Sequence, residues 1–237
     1  MPVNRWFFGS GSRRRDRLVK ALQQARDGDT PGGVETIAER FPEALADLEA
    51  MRLSGDPGWL RLAAWLAYRA GDIPRSSGYA NQALAHAEDA QTWSLLGRLR
   101  LWERRPDADE AFRRAARLDP NRFVVPYRVK HQRFMQMAER ALAAIPHEFQ
   151  DRLGNTLIVV DDLPDLDAVR EGEDPDLLGL YEGATVLEHG LPERIVLYQR
   201  NHENISASER ELEHEAAETM RHEIGHHFGM AEDEIPY

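Results

Sequence analysis

Near the end of the chain, RHEIGHHFGMAED (Arg221–Asp233) sets two histidines four residues apart, with a glutamate directly after the first. An α-helix turns once in about 3.6 residues, so His222 and His226 project from nearly the same side and can share one ion. Glu223 lies about 100° round from His222, placed to reach a water at that ion without itself becoming a ligand. Zinc chemistry needs this set: neutral imidazoles to hold the ion, an open position for water, and a carboxylate to take the water's proton. Gly229 follows where a residue free to adopt positive φ lets the chain turn sharply, and the acids Glu232 and Asp233 come next. The longer pattern HExxHxxGxx(acid) is far more specific than HExxH alone. The competing reading is an amphipathic terminal helix with solvated histidines and a charged tail. His227 projects about 100° from His226 and is expected to pack beside the ligands. His202 and His214 are assigned to solvent.

Composition narrows the chemistry. The chain has no cysteine, so a transition-metal site must be built from histidine and carboxylate. No apolar run reaches the length of a bilayer span, no signal peptide is read at the N-terminus, and a cytoplasmic location is expected. The net charge of −11 is uneven: residues 1–120 carry 19 basic and 17 acidic side chains, and residues 121–237 carry 11 and 24. Phosphate repulsion by the second part argues against a nucleic-acid partner, and no membrane partner is expected.

The elements that must position the site lie in two regions. From Arg13 to about Leu118 the chain reads as helical, with a stop at RDGDTPGG after a first helix over 15–26 and a second helical region over 34–51. Trp59 and Trp93 lie 34 residues apart; each is followed by a leucine (Leu62, Leu96) and a small residue (Ala63, Gly97). Ala108, Phe112, Ala115 and Pro120 continue the second copy, and Ser76, Ala80 and Ala83 the first. This pattern resembles the tetratricopeptide repeat, in which small residues let paired helices approach and bulky ones fill the groove between neighbours. A peptide or protein docking surface is one expectation for it, and a packing scaffold the other.

After a junction at 121–130 the period changes. A helix over 132–144 precedes a short buried strand, TLIVV (156–160), and a polar loop over 165–176. Segments 177–181 and 184–187 suggest a bent strand or hairpin around Glu182 and Gly183, RIVLY (194–198) another strand, and Ser206 with Glu209 the start of the last helix. Leu212, Ala216, Ala217, Met220, Ile224 and Phe228 should face the core.

The stretch from about Phe134 to Glu234 resembles the minimal zincin-like metallopeptidases of bacteria. The likeness rests on Ala141, Leu142, Ile145 and Pro146 at a helix end, on VVDDLP, LLGLYEG and RIVLYQR, and on HEIGHHFG, in this order. It implies zinc held by His222 and His226, Glu223 as general base, Gly229 as the turn, and Glu232 as third ligand with Asp233 as the alternative. Tyr181 and Glu182 are candidates to border a peptide cleft, and either LLGLY or RIVLY to bind an extended peptide through its backbone.

The expected fold class is α+β: tetratricopeptide-like helical hairpins over 1–125, then a compact α/β domain over 126–237 with a small twisted sheet and a C-terminal active-site helix. The expected function is zinc-dependent hydrolysis of peptide bonds, with the repeats docking a protein substrate or regulator. The alternative is an interaction protein with a peptide-binding cleft and little turnover.

Overall fold

The structure, a computed structural model, describes residues 8–40, 43–50, 56–154, 156–183 and 193–230. The expected strand at 184–187 and the acids Glu232 and Asp233 lie outside the described residues. The chain divides into two compact units, Met1–Pro120 with Val169–Gly172, and Asn121–Ala168 with Glu173–Tyr237.

The first unit is helical: α1 (Phe8–Asp27), α2 (Thr30–Arg40), α3 (Ala44–Ala50), α4 (Pro57–Arg69), α5 (Ile73–His86), α6 (Ala90–Trp102) and α7 (Ala108–Leu118). The helical region expected over 34–51 is two helices, α2 and α3. Helix α4 starts cleanly because Asp56 accepts from the amides of Gly58 (2.9 Å) and Trp59 (3.1 Å), while Pro57 needs no partner for an N–H. The successive pairs α4–α5 and α6–α7 pack closely. At the second pair, a Cβ on Gly97 would lie 2.8 Å from the Phe112 ring, so the bare backbone lets the aromatic side chain come this near.

The rest of the chain runs α8 (His131–Ala143), α9 (His147–Gln150), β1 (Leu157–Asp161), α10 (Leu166–Glu171), β2 (Gly179–Glu182), β3 (Arg194–Tyr198), α11 (Gln199–Ile205) and α12 (Glu209–His227), all in the second unit except residues 169–171 of α10. Together the two units make a mostly helical chain with one small mixed sheet, an α+β composition. The sheet order is β1-β3-β2, with β1 parallel and β2 antiparallel to β3. Central β3 is paired on both sides, and Ile195, Val196, Leu197 and Tyr198 are all buried, the near-continuous apolar run of a covered strand. Helix α8 contributes Phe134, Met137, Ala138 and Ala141 to the same core as Ile195, Leu197, Leu212, Ala216, Met220 and Ile224. Ala217 and Phe228 pack partly buried against it.

Three local expectations are corrected. The stretch 165–176 holds α10, begun by Asp165, whose carboxylate accepts from the amides of Asp167 (2.8 Å) and Ala168 (3.2 Å). The last helix is capped by Ser208, not Ser206: Ser208 accepts from the Glu211 amide at 3.3 Å, whereas Ser206 is buried and donates its hydroxyl to the His202 carbonyl at 2.9 Å. Between β3 and α12 stands α11, whose Gln199, Asn201, His202, Glu203 and Asn204 are all buried. Its Glu203 carboxylate, fully buried, pairs with Arg128 (3.1 Å) and Arg200 (2.9 Å) and accepts from the Val129 amide (3.0 Å). Among the described residues no helix is long and apolar enough to cross a membrane.

Candidate metal centre and its groove

Helix α12 carries the histidines because two patterns are superposed on it. Leu212, Ala216, Met220 and Ile224 recur at helical spacing and fasten one face to the core. The neighbouring stripe then holds His222 and His226 one turn apart and only partly buried. Their rings stand edge to face, with Nε2 atoms 3.0 Å apart.

Zinc–nitrogen bonds are about 2.0–2.1 Å, so one ion reaches both nitrogens only if they lie within about 4.2 Å of each other. The observed separation meets that condition. Without an ion, the contact suits a hydrogen bond from one ring N–H to the other ring's lone pair; with one, both Nε2 atoms must be deprotonated and both rings carry Nδ1–H. Among the described residues no group of three His, Asp or Glu could hold a metal ion. Glu232 and Asp233, beyond Met230, are outside the described residues.

Gly229 ends the helix at φ +73°. Its amide donates to the His226 carbonyl (2.9 Å) and the Met230 amide to the Gly225 carbonyl (3.1 Å), the paired reverse bonds of a Schellman turn. This is the chain reversal expected after the second histidine.

Glu223 is 6% exposed and faces β2. A Cβ on Gly179 would lie 3.0 Å from Glu223 Cγ and 2.5 Å from Thr219 Cγ2, so the strand reaches this close to α12 only as glycine. Thr219, one turn before Glu223, is held from below by His202. The His202 Nδ1–H donates to the Tyr198 carbonyl (2.9 Å), which can only accept; Nε2 therefore carries the lone pair and accepts the Thr219 hydroxyl (3.0 Å). Burial keeps the imidazole neutral, pushing its pKa down to about 4.

A groove of about 510 Å³ opens beside these groups, lined on the α12 side by Glu215, Glu218, Thr219, His222 and Glu223 and on the other by the segment Asp174–Gly179. Asn201, buried beneath, fixes that second wall by donating to the carbonyls of Pro175 (3.0 Å) and Leu177 (2.8 Å).

Tyr181 and Glu182 do not line this groove. Tyr181 follows Gly179 on the face of β2 toward α12 and meets the ring of His227 at 5.3 Å; burial and the Glu193 carboxylate raise its phenol pKa. Glu182 points to the opposite face and pairs with Arg194 across the sheet. His227 is largely covered, with Nδ1 3.1 Å from Glu193, and stands apart from the His222–His226 contact. His214 is exposed beside Glu218. His202, assigned to solvent from the sequence, is instead fully buried, because its polar neighbours on α11 are packed inside and not displayed.

Gly179, Thr219 and His202 were not legible as site residues. A glycine between leucines, LLGLY, is the one local sign that a backbone is approached closely there. No curated protein matches the chain. Residues 153–237, which carry the sheet, α12 and both histidines, match the family model of the zincin-like metallopeptidases.

Proposed function

We propose that the chain is a zinc-dependent metallopeptidase that cleaves within peptide chains. The observation that carries this reading is the convergence of two imidazole Nε2 atoms at 3.0 Å beside a buried glutamate on the wall of an open groove. His222 and His226 hold the zinc, with Glu232 or Asp233 as third ligand. The ion supplies a Lewis acid that polarises the peptide carbonyl and lowers the pKa of an attacking water.

The chain's own residues do the rest. Glu223 takes the proton of that water and returns it to the departing amine, so one carboxylate serves as base and then as acid. Packing against Gly179 holds its side chain in place. The outer edge of β2 binds the substrate backbone: Leu178 is hydrogen-bonded to Tyr198 opposite, and by the antiparallel alternation Leu180 and Glu182 also face β3. The amides and carbonyls of Gly179 and Tyr181 therefore point outward, where an extended peptide adds as a further strand. RIVLY, paired on both sides, has no edge to offer, which leaves LLGLY.

The helical unit is read as two tetratricopeptide-like hairpins that dock a protein substrate or a regulator. The close approach of Gly97 to Phe112, where the repeat pattern wants a small residue, supports that reading. Surface changes on α4–α7 that spare cleavage of short peptides but slow cleavage of a protein substrate would check it.

Elemental analysis and an unbiased peptide-library digestion test the proposal. One zinc per chain, lost in His222→Ala, is expected; Glu223→Gln keeps the metal and loses cleavage. Cleavage unchanged in Glu223→Gln would defeat the mechanism.

A further inference from the structure

Five polar side chains of α11 are buried, and two neighbours among them reach opposite walls of the α12 groove from behind. Asn201 donates to the Pro175 and Leu177 carbonyls of the first wall, at 3.0 and 2.8 Å. His202 accepts the hydroxyl of Thr219 on the second, at 3.0 Å. Consecutive residues of a helix project about 100° apart, so one short element can hold two walls at once.

The walls are also joined through the sheet. The Leu178 carbonyl accepts from the Tyr198 amide (2.8 Å), the Tyr198 carbonyl accepts from His202 Nδ1 (2.9 Å), and His202 Nε2 accepts from Thr219. Three hydrogen bonds therefore run from one wall to the other through a strand end and an imidazole. His202 is fully buried and Thr219 is 8% exposed, so water does not stand ready to replace the last of these links.

Thr219 carries the constraint to the reacting groups. Its hydroxyl goes to His202 and its methyl carbon meets Gly179: a Cβ on that glycine would lie 2.5 Å from Thr219 Cγ2, 3.0 Å from Glu223 Cγ and 3.2 Å from Glu223 Oε1. With both substituents engaged, the χ1 rotation of this β-branched side chain has one setting. The separation of β2 from the Glu223 carboxylate follows from it.

We propose that Asn201 and His202 are positioning residues: acting through the 175–177 carbonyls and Thr219, they fix the width of the groove and with it the distance from Glu223 to a peptide on the β2 edge. The role in cleavage rests on the metallopeptidase reading, whereas the fixed spacing does not.

The test uses the full-length, zinc-loaded protein and two measurements. The first is peptide cleavage, with kcat taken per folded, zinc-containing molecule so that lost stability alone cannot lower it. Thr219→Val keeps the shape and the methyl contact and deletes the hydroxyl; kcat should fall about 10–100-fold, the effect of a displaced reacting group, with KM within about threefold. Thr219→Ser, which keeps the hydroxyl, should recover most of that rate, and Asn201→Leu should lower kcat from the other wall. Leu153→Ala, a change in the core of the same unit and outside the groove lining, should leave kcat within about twofold. An unchanged kcat in Thr219→Val overturns the proposal, as does a loss that Thr219→Ser or Leu153→Ala matches.

The second measurement, amide hydrogen exchange, needs no turnover. Thr219→Val, made on α12, should speed exchange of the Tyr198 amide, whose acceptor Leu178 stands on the opposite wall, by about tenfold relative to the amides of α8. No change at that amide also overturns the proposal. If wild type cleaves no peptide yet the exchange responds, the hydrolytic reading falls and the fixed spacing stands. If wild type cleaves and Thr219→Val equals it in kcat, the positioning role falls and the hydrolytic reading stands.

Discussion

The helical unit has a groove of about 530 Å³ along α6 and α7, nearly the volume of the 510 Å³ groove along α12, but charge is handled differently in the two. The α6–α7 groove is lined by four arginines, Arg100, Arg113, Arg114 and Arg117, together with Glu88, Asp107 and Glu110. Arg114 pairs with Glu88 at 2.6 Å and Arg100 with Asp107 at 3.4 Å. Among the described residues the α12 groove is lined by five carboxylates, of which Glu218 pairs with Arg221 and Glu223 is buried. Charges that answer each other within a surface hold its shape at modest energy, about 0–1 kcal/mol per exposed pair. Charges of one sign gathered in a cavity repel one another, and a ligand of opposite sign relieves that cost. The comparison teaches that cavity size does not separate the two grooves; the side chains that line them do, charges of both signs in one and carboxylates beside a histidine in the other.

The sharpest way to break this contrast is to neutralise one acid in each groove. Glu223→Gln should lower the rate of peptide cleavage by about 10²–10⁴-fold, the usual reach of general acid–base catalysis. Glu110→Gln in the other groove should leave the rate on short peptides within twofold of wild type (about 0.4 kcal/mol). Rates on one peptide, measured at matched zinc content, decide it.

Acid should weaken the support of the α12 groove first. A solvated imidazole titrates near 6.5, and burial pushes His202 down to about 4 in the folded state, so the protein binds this proton less readily than the unfolded chain does. The stability it contributes is complete above about pH 6.5 and is lost as pH drops toward 4, by about 3 kcal/mol in all. Urea unfolding of metal-free protein across that window should show the slope, and His202→Gln should flatten it. An unchanged slope in the variant would mean that the buried imidazole is not the titrating group.

A methyl group added to each unit gives the next contrast. Gly179→Ala forces a carbon against Thr219 and Glu223, and Gly97→Ala forces one against the Phe112 ring. Each should destabilise by about 1–3 kcal/mol through overpacking. Only the first should also cut cleavage, since it moves the base; equal activity loss, corrected for folded fraction, would erase the distinction. The smallest effect belongs to Glu88→Gln, a half-exposed pair with Arg114, expected to cost no more than about 0.5 kcal/mol and to cost nothing at high salt.

How much of this could be read from the chain follows the range of each interaction. The His222–His226 contact was legible because helical repeat alone fixes it, and Gly229 because a positive φ is a demand of a single residue. The cap of α12 was ambiguous for a plain reason: SASERE contains two overlapping serine–glutamate pairs, Ser206 with Glu209 and Ser208 with Glu211. What selects the second is the Ser206 bond to the His202 carbonyl. Burial of His202, and the approach of Gly179 to Glu223, depend on how strand and helix meet across more than 15 residues of chain, for which periodicity carries no signal. Tyr181 was placed correctly on a strand near α12, but alternation sends it to His227 and away from the groove.

The buried Glu203 bears on how the second unit can be cut free. The stretch matched by the family model begins at 153, yet two of the groups that satisfy this carboxylate, the Arg128 guanidinium and the Val129 amide, lie before it, as does all of α8. A fragment starting at 153 would leave the carboxylate in the interior with Arg200 and Gln199 alone, and would bare the core face that Phe134 and Met137 cover. Removing one partner of a buried ion pair costs about 3–5 kcal/mol, a large share of what holds a domain of this size together. The shortest piece able to fold by itself therefore starts ahead of Tyr127, whose amide is tied to the Ser206 carbonyl at 2.8 Å, and the boundary of sequence likeness is not the boundary of the folding unit.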